Sequence, residues 1–431
     1  MKAAFYESDI TPPLGCFLEG SGMRDYAEDV YEKLYAKAAV IENDGEIAVI
    51  IVVDTCSIPD GMHDFVTKRI NEYTGIAPER VMLTSNHTHK GAPVLDWPAI
   101  GSFGDPTYKD VFFRVCADAA ILAYKRLDEA EVKFGTGEVS DISFNRTFIT
   151  NEGKYVTWCG GRDDIKETLG PIDPSLAVLT FERDGKPIGS IINFACHQDC
   201  LGRLLGYSGD YSAVMANHLK DSYGRDFVSL FVLGTCGDIN HLNPDQSVEQ
   251  PPFWYREMGK KLADEAKRVI ANSKETSKDV AVVKEKVRLE RRKVDEAYVK
   301  EAAKKYLDSY AGTMRASNIL YYYAIDAEKY DDAYVQSIKI GDVCIYGLPG
   351  EVFVEIGLKI KEKSPFKNNM VVELCNGHVP GYIPTKEVFC ENSDLYETSL
   401  GWGSGGCYVP ETGNILAEKA LDIGRRLKSE V

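Results

Sequence analysis

Apolar runs and helical patterns alternate along most of this chain. Ile47-Ala48-Val49-Ile50-Ile51-Val52-Val53 is continuous and rich in β-branched residues, which predicts a buried strand. It ends in Asp54-Thr55, and residues 60–73 then carry a helical pattern. Val81-Met82-Leu83-Thr84-Ser85 predicts a second buried strand, and a helix comes next, from about Tyr108 to Arg126. The stretches 131–139 and 174–196 are β-rich, and Asp184-Gly185 inside the second is a hairpin turn signal. A helix near 210–222 leads to a strand from Phe227 to Leu233, with further helices near 254–272 and 294–308. Late strands fall near 334–347 and 369–375, and a final amphipathic helix runs from about Ile415 to Leu427.

This alternation predicts an α/β fold with a mixed sheet core and flanking helices. In such sheets ligands bind beyond the carboxyl ends of strands. Asp54, His87, His197 and Asp238 all stand at or near such ends. The charged stretch 273–305 reads as a solvated hairpin and surface helix, so residues 1–431 are expected to form a single domain.

Composition narrows the function classes. The chain has 431 residues, of which 44% are hydrophobic and 27% charged, with a net charge of −16. So acidic a surface argues against non-specific nucleic-acid binding, which needs Lys and Arg against phosphates, and against a polybasic membrane anchor. No segment approaches the ~20 apolar residues of a membrane helix. The start, Met1-Lys2-Ala3-Ala4-Phe5-Tyr6-Glu7-Ser8-Asp9, shows no apolar core of a signal peptide. Eleven cysteines, an odd number without a CxxC pair, read as reduced thiols in a cytoplasmic protein.

The chemistry concentrates on a few of the seven histidines. His87-Thr88-His89 closes a strand, and in an extended chain residues two apart point the same way. Both imidazoles can then converge on one ion or substrate atom. Gly91-Ala92-Pro93 opens a loop directly after them. His197 ends the apolar run Ile191 to Cys196 and is the natural third member of a site. Catalytic zinc takes about three protein ligands, mostly His and carboxylate, and keeps a position for water. Leu348-Pro349-Gly350-Glu351 reads as a strand-to-helix corner with Glu351 in the first helical turn. There it either helps the helix dipole or acts as a metal ligand. His63 and His218 read as surface or packing residues, His241 as a pocket wall, and His378 as a substrate contact.

Several strings then occur in order: Ser8-Asp9-Ile10-Thr11-Pro12-Pro13-Leu14-Gly15, Asn86-His87-Thr88-His89, Asn145-Arg146, Asn193-Phe194-Ala195-Cys196-His197, Ser208-Gly209-Asp210-Tyr211, Gly234-Thr235-Cys236-Gly237-Asp238-Ile239-Asn240, Pro349-Gly350-Glu351 and Gly381-Tyr382-Ile383-Pro384-Thr385. Together they resemble the catalytic domain of the neutral/alkaline non-lysosomal ceramidase family, of which the chain looks like a divergent bacterial-type member. The resemblance implies a ceramidase-like fold and one Zn2+ per chain, hydrolysing an amide. It implies His87, His197, Glu351 and Tyr382 as metal ligands, with His89 and Arg146 facing the substrate. His89, near its ordinary pKa, would pass a proton to the leaving nitrogen. Asp54 and Asp238 would either orient ligating imidazoles or cap helices.

The chain also departs from that pattern. Asn240 stands where the family carries a serine proposed to act at the scissile amide, and it joins the expected catalytic set at that place. Lys90-Gly91-Ala92 replaces Ser-Gly-Pro, and a lysine there would favour an anionic substrate. The family's C-terminal β-sandwich domain and secretion signal are not seen. The expectation is therefore a zinc-dependent hydrolase of a small-molecule amide other than ceramide. The alternatives are hydrolysis of an ester or an acylated or anionic carbohydrate, and a non-catalytic protein that retains zinc. An amidohydrolase barrel also uses His-x-His, but no late strand here ends in a fitting aspartate.

Overall fold

A computed structural model describes residues 1–20, 25–96, 104–251, 253–293, 296–304, 316–317, 319–320, 330–377, 379, 381–399 and 407–429. Three sheets meet at one apolar centre. The first runs, in spatial order, Val81–Ser85, Glu46–Val53, Tyr35–Asn43, Lys2–Asp9 and Asp128–Glu129. The second runs Val228–Leu233, Lys186–Phe194, Ser175–Arg183, Glu131–Glu138 and Lys274–Glu275. The third runs Val280–Glu290, Tyr330–Ile340, Val343–Gly347 and Asn368–Val372.

The inner faces interdigitate because strand side chains alternate in direction. Ile41, Ile50 and Met82 of the first sheet pack with Leu179, Ile191 and Leu230 of the second and Ile338, Ile345 and Met370 of the third. The opposite faces carry helices. Met62–Thr74 and Pro106–Tyr124 cover the first sheet. Asp210–Tyr223 and Trp254–Asn272 cover the second. Val354–Lys363 and Thr412–Ser429 cover the third. The mixed α/β architecture is thus the one the hydrophobic pattern predicts.

Each sheet contains one parallel pair joined through a helix: Glu46–Val53 with Val81–Ser85, Lys186–Phe194 with Val228–Leu233, and Val343–Gly347 with Asn368–Val372. A parallel pair needs such a crossover, and both of its strands end on the same side. The segments after these strands carry His87, His197, Asp238, Glu351 and Glu373, so the topology itself gathers them.

Two expectations change. The stretch 273–305 is not a solvated hairpin: Val280–Glu290 pairs along its whole length with Tyr330–Ile340 and buries Val287 and Leu289. Buried Val287 and Leu289 alternate with exposed Lys286, Arg288 and Glu290, and that charge masks the strand. Glu351 also lies outside any helical turn. It belongs to the short strand Glu351–Val352, and the helix starts at Val354. The turn at Gly350, whose φ is +77°, breaks the chain before a helix can begin. The helix-dipole reading of Glu351 falls with that.

Candidate metal centre

His87 comes after the strand Val81–Ser85, but the chain is not extended there. Its φ is +68°, a left-handed conformation that a non-glycine residue adopts at a cost of about 1–3 kcal/mol. The backbone N–H of His87 donates to the carbonyl of Thr55 and that of His89 to the carbonyl of Gln198. The two rings therefore converge through a kink held from both sides, rather than through the two-residue repeat of a strand. Their Nε2 atoms are 3.4 Å apart.

His197 enters from the second sheet. The His87 Nδ1 lies 2.6 Å from the Cys56 carbonyl oxygen and the His197 Nδ1 lies 2.9 Å from that of Cys236. A carbonyl only accepts, so both Nδ1 atoms carry the proton and each neutral ring turns an Nε2 lone pair inward. Those two Nε2 atoms are 3.0 Å apart. The Glu351 Oε2 lies 3.4 Å from each of them, buried and without a hydrogen-bond donor among the described residues. Two lone pairs and an unmatched carboxylate oxygen at one point repel each other unless a cation sits among them.

The spacing suits zinc. Tetrahedral ligands at about 2.0–2.2 Å from the ion stand about 3.3 Å from each other, which the distances of 3.0, 3.4 and 3.4 Å match. With no cation, charge separation within the cluster takes over. His87 is raised well above the ordinary histidine range: burial opposes its charge, but Cys56 and Glu351 outweigh burial. Glu351 falls well below the ordinary range, because His87 and His197 outweigh its burial. His87 also belongs to a group with Cys56 and His89, but its Nδ1 on that side already serves the Cys56 carbonyl.

Tyr382 is delivered by strand pairing. Tyr382–Ile383 runs parallel to Glu351–Val352, with Tyr382 opposite Glu351. Its ring lies nearly parallel to that of His197, with centroids 6.5 Å apart. The Arg146 guanidinium lies over the Tyr382 ring, 5.4 Å from its centroid. The guanidinium is itself fixed: Nε donates to Glu397 at 2.9 Å and Nη2 to the Gly237 carbonyl at 2.7 Å. Thr157 donates to the other oxygen of Glu397, which is fully buried. Of the expected site residues, His87, His89, His197, Glu351, Tyr382 and Arg146 thus form one cluster.

Asn240 lies one shell further out. Its Nδ2 donates to both oxygens of Asp199, at 3.0 and 2.8 Å, and its Oδ1 accepts from the N–H of Leu242. His241 holds the same carboxylate at 2.9 Å. The asparagine amide is therefore committed to Asp199, whose pKa lies well below the usual range because His241 outweighs its burial.

Three readings need correction. His89 is not near its ordinary pKa: burial, with His87 and His197 beside it, lowers it to about 3, so it is a neutral ring. Lys90 does not present an unanswered charge to an anionic substrate: it is buried, burial lowers its pKa, and Asp25 and Asp210 act against that. Asp54 and Asp238 orient no ligating imidazole. Asp54 accepts from the N–H of Tyr35 and from Asn86, and Asp238 accepts from Asn145 and from the N–H of Val354 at the helix start. The backbone carbonyls of Cys56 and Cys236 hold the rings instead. His63 packs against Tyr334, and His378 lies outside the described residues.

Four residues escaped the sequence reading: Asp199, Glu397, Glu373 and Glu19. Asp199 stands two residues beyond His197 and carried that much of a signal. Glu373 is buried and accepts from the N–H groups of both Cys236 and Val352, so it ties the turn that orients His197 to the strand that carries Glu351. Glu19 braces the loop after His89 by accepting from the N–H groups of Val94 and Leu95 and from Thr55.

The chain belongs to the neutral/alkaline non-lysosomal ceramidase family, whose N-terminal domain model matches residues 7–241. Among solved structures it resembles one described as ceramidase complexed with C2, at a TM-score of 0.77 and 18% identity, with 100% of this chain covering 75% of that one. It also resembles a neutral ceramidase from Pseudomonas aeruginosa, at a TM-score of 0.74 and 17% identity, with the same coverage. These likenesses establish the fold. No curated protein matches the chain. Among the described residues, no helix is long and apolar enough to cross a membrane.

Proposed function

We propose that this protein is a zinc-dependent hydrolase that cleaves the amide bond of a small N-acyl substrate other than ceramide itself. The observation that carries this reading is the convergence of His87 Nε2, His197 Nε2 and Glu351 Oε2, 3.0–3.4 Å apart, with the carboxylate oxygen unmatched. These three side chains would hold the ion, and Tyr382, opposite Glu351 in the strand pair, would complete the set. A bound zinc ion polarises a carbonyl and makes water acidic enough to attack it near neutral pH.

The chain's own residues supply the rest. The charge of Arg146, locked by Glu397 and the Gly237 carbonyl, stabilises negative charge developing on the carbonyl oxygen. His89 is neutral, so its ring takes up a proton first and then releases it to the leaving nitrogen. Asn240 and His241 hold Asp199 at the edge of this cluster, where the Asp199 charge favours a transiently protonated His89. Burial of the ligands keeps bulk water from weakening these interactions. All eleven cysteines are free thiols, which fits a reducing, cytoplasmic setting. Residues 1–431 act as one catalytic domain in this reading.

The test is a panel of N-acyl amides, esters and acylated sugars with zinc-loaded protein. Amide hydrolysis that disappears in His89→Ala, with zinc content unchanged, is the expected result. Turnover of esters or acylated sugars alone would move the reading to those bonds. Zinc binding without turnover on any class would leave a binding protein.

A further inference from the structure

A cavity of about 270 Å³ lies between the first sheet and the helix Asp210–Tyr223, and no residue of the metal centre lines it. That is close to the lower end of small-molecule sites, ~300 Å³. Glu7, Glu32, Lys33, Lys37 and Lys220 supply its charged lining, with Tyr31 and Tyr35 beside them.

Most of these charges are already matched. Lys33 pairs with Asp9 at 2.7 Å, and Lys220 pairs with one oxygen of Glu7. The Glu32 carboxylate accepts from Ser208 and Tyr255. Two groups are left over. Lys37 is 6% exposed; its ammonium lies 5.9 Å from the Tyr35 ring centroid and feels the charge of Asp54 through space, with no direct hydrogen bond or ion pair among the described residues. The Glu7 Oε2 is buried and has no donor among the described residues. The two residues are cross-strand partners in the pairing of Lys2–Asp9 with Tyr35–Asn43. A buried lysine is almost always paired, and a buried carboxylate oxygen without a donor is costly.

The two leftover groups have opposite needs. A simple anion would satisfy Lys37 but face the carboxylates of Glu7 and Glu32, with Asp54 behind Lys37 acting through space. A simple cation would satisfy Glu7 but face three ammonium groups. We propose that this cavity binds a small zwitterion of the α-amino-acid type, its carboxylate on Lys37 and its ammonium on Glu7. Both charges of such a ligand lie within a few atoms, as the cross-strand pair requires.

Isothermal titration calorimetry of the full chain tests this with glycine, L-alanine and L-serine against acetate, inorganic phosphate and ethylammonium. Saturable binding of at least one amino acid, tighter than all three controls, is expected. Lys37→Met should weaken it about tenfold or more, the scale of one lost charge-assisted hydrogen bond. Neither Lys37 nor Glu7 belongs to the metal centre, so zinc content and cooperative unfolding should stay unchanged and report on folding. If Lys37→Met does not fold, Glu7→Gln is read in the same way. No saturable heat from any of the amino acids, equal binding of acetate or phosphate, or a folded variant that binds as the parent does would each overturn the proposal.

Discussion

The Nε2 atoms of His87 and His197 face each other at 3.0 Å while each ring donates its Nδ1 proton to a backbone carbonyl. Two acceptors at that distance cannot hydrogen-bond to one another in their neutral forms. The carbonyls of Cys56 and Cys236 fix the tautomer, and the tautomer fixes what the site can hold. Because these carbonyls lie in the segments that follow strands of two different sheets, the fold and the ligand geometry are one design.

Zinc should therefore stabilise the native state. A ligand at 100 times its dissociation constant adds about 2.7 kcal/mol. Chelator-treated protein should unfold at a lower temperature than zinc-loaded protein in a calorimetric scan. Glu351→Ala should abolish the difference, and an undiminished shift in that variant would remove Glu351 from the ligand set.

Glu397 should matter for both stability and rate. Breaking a buried ion pair costs about 3–5 kcal/mol, and the Arg146–Glu397 pair is almost wholly buried. Glu397→Ala should lose stability on that scale in urea titrations, and should lower kcat while zinc content stays intact. Loss of stability with an unchanged kcat would make Glu397 structural only.

Glu19 gives a pH signature. Burial raises its pKa to about 8, against bonds from Val94, Leu95 and Thr55 that lower it. The folded protein therefore holds a proton there that the unfolded chain releases near pH 4.5. Its contribution is fully present below that value and is lost as pH rises towards 8. Glu19→Gln lacks this loss, so its melting temperature should gain on the parent steadily from about pH 5 to about pH 8. A difference independent of pH would show that Glu19 is ionised throughout.

Gly20 packs closely against His89. A Cβ on Gly20 would stand 2.6 Å from the His89 Cα, at a φ of +83° that L residues avoid. Gly20→Ala should cost about 1–3 kcal/mol and lower turnover more than zinc content. Unaltered kinetics would separate this loop from the reaction.

Much of this was legible in the sequence. The strands that precede His87 and His197 are continuous apolar runs, so periodicity shows the fold class, and the histidines at the ends of those runs point to the site. The ligand set came through motif resemblance, because nothing local links residue 87 to residue 351 or 382. Glu351 was misplaced because Pro349-Gly350 signals a turn without specifying the next element, and pairing with Tyr382 is what makes that element a strand. Val280–Glu290 was hidden by outward charge. Glu397 left no trace, since its partner Arg146 is 251 residues away. The pKa of His89 depends on burial and on two neighbouring rings, which no spacing reveals.

Anomalous diffraction at the zinc edge, on crystals of the protein as purified, tests the central claim most directly. One peak per chain is expected within about 2.0–2.2 Å of His87 Nε2, His197 Nε2 and Glu351 Oε2. No peak there, or a peak at the separate group formed by Asp199, Cys200 and His241 instead, would contradict it.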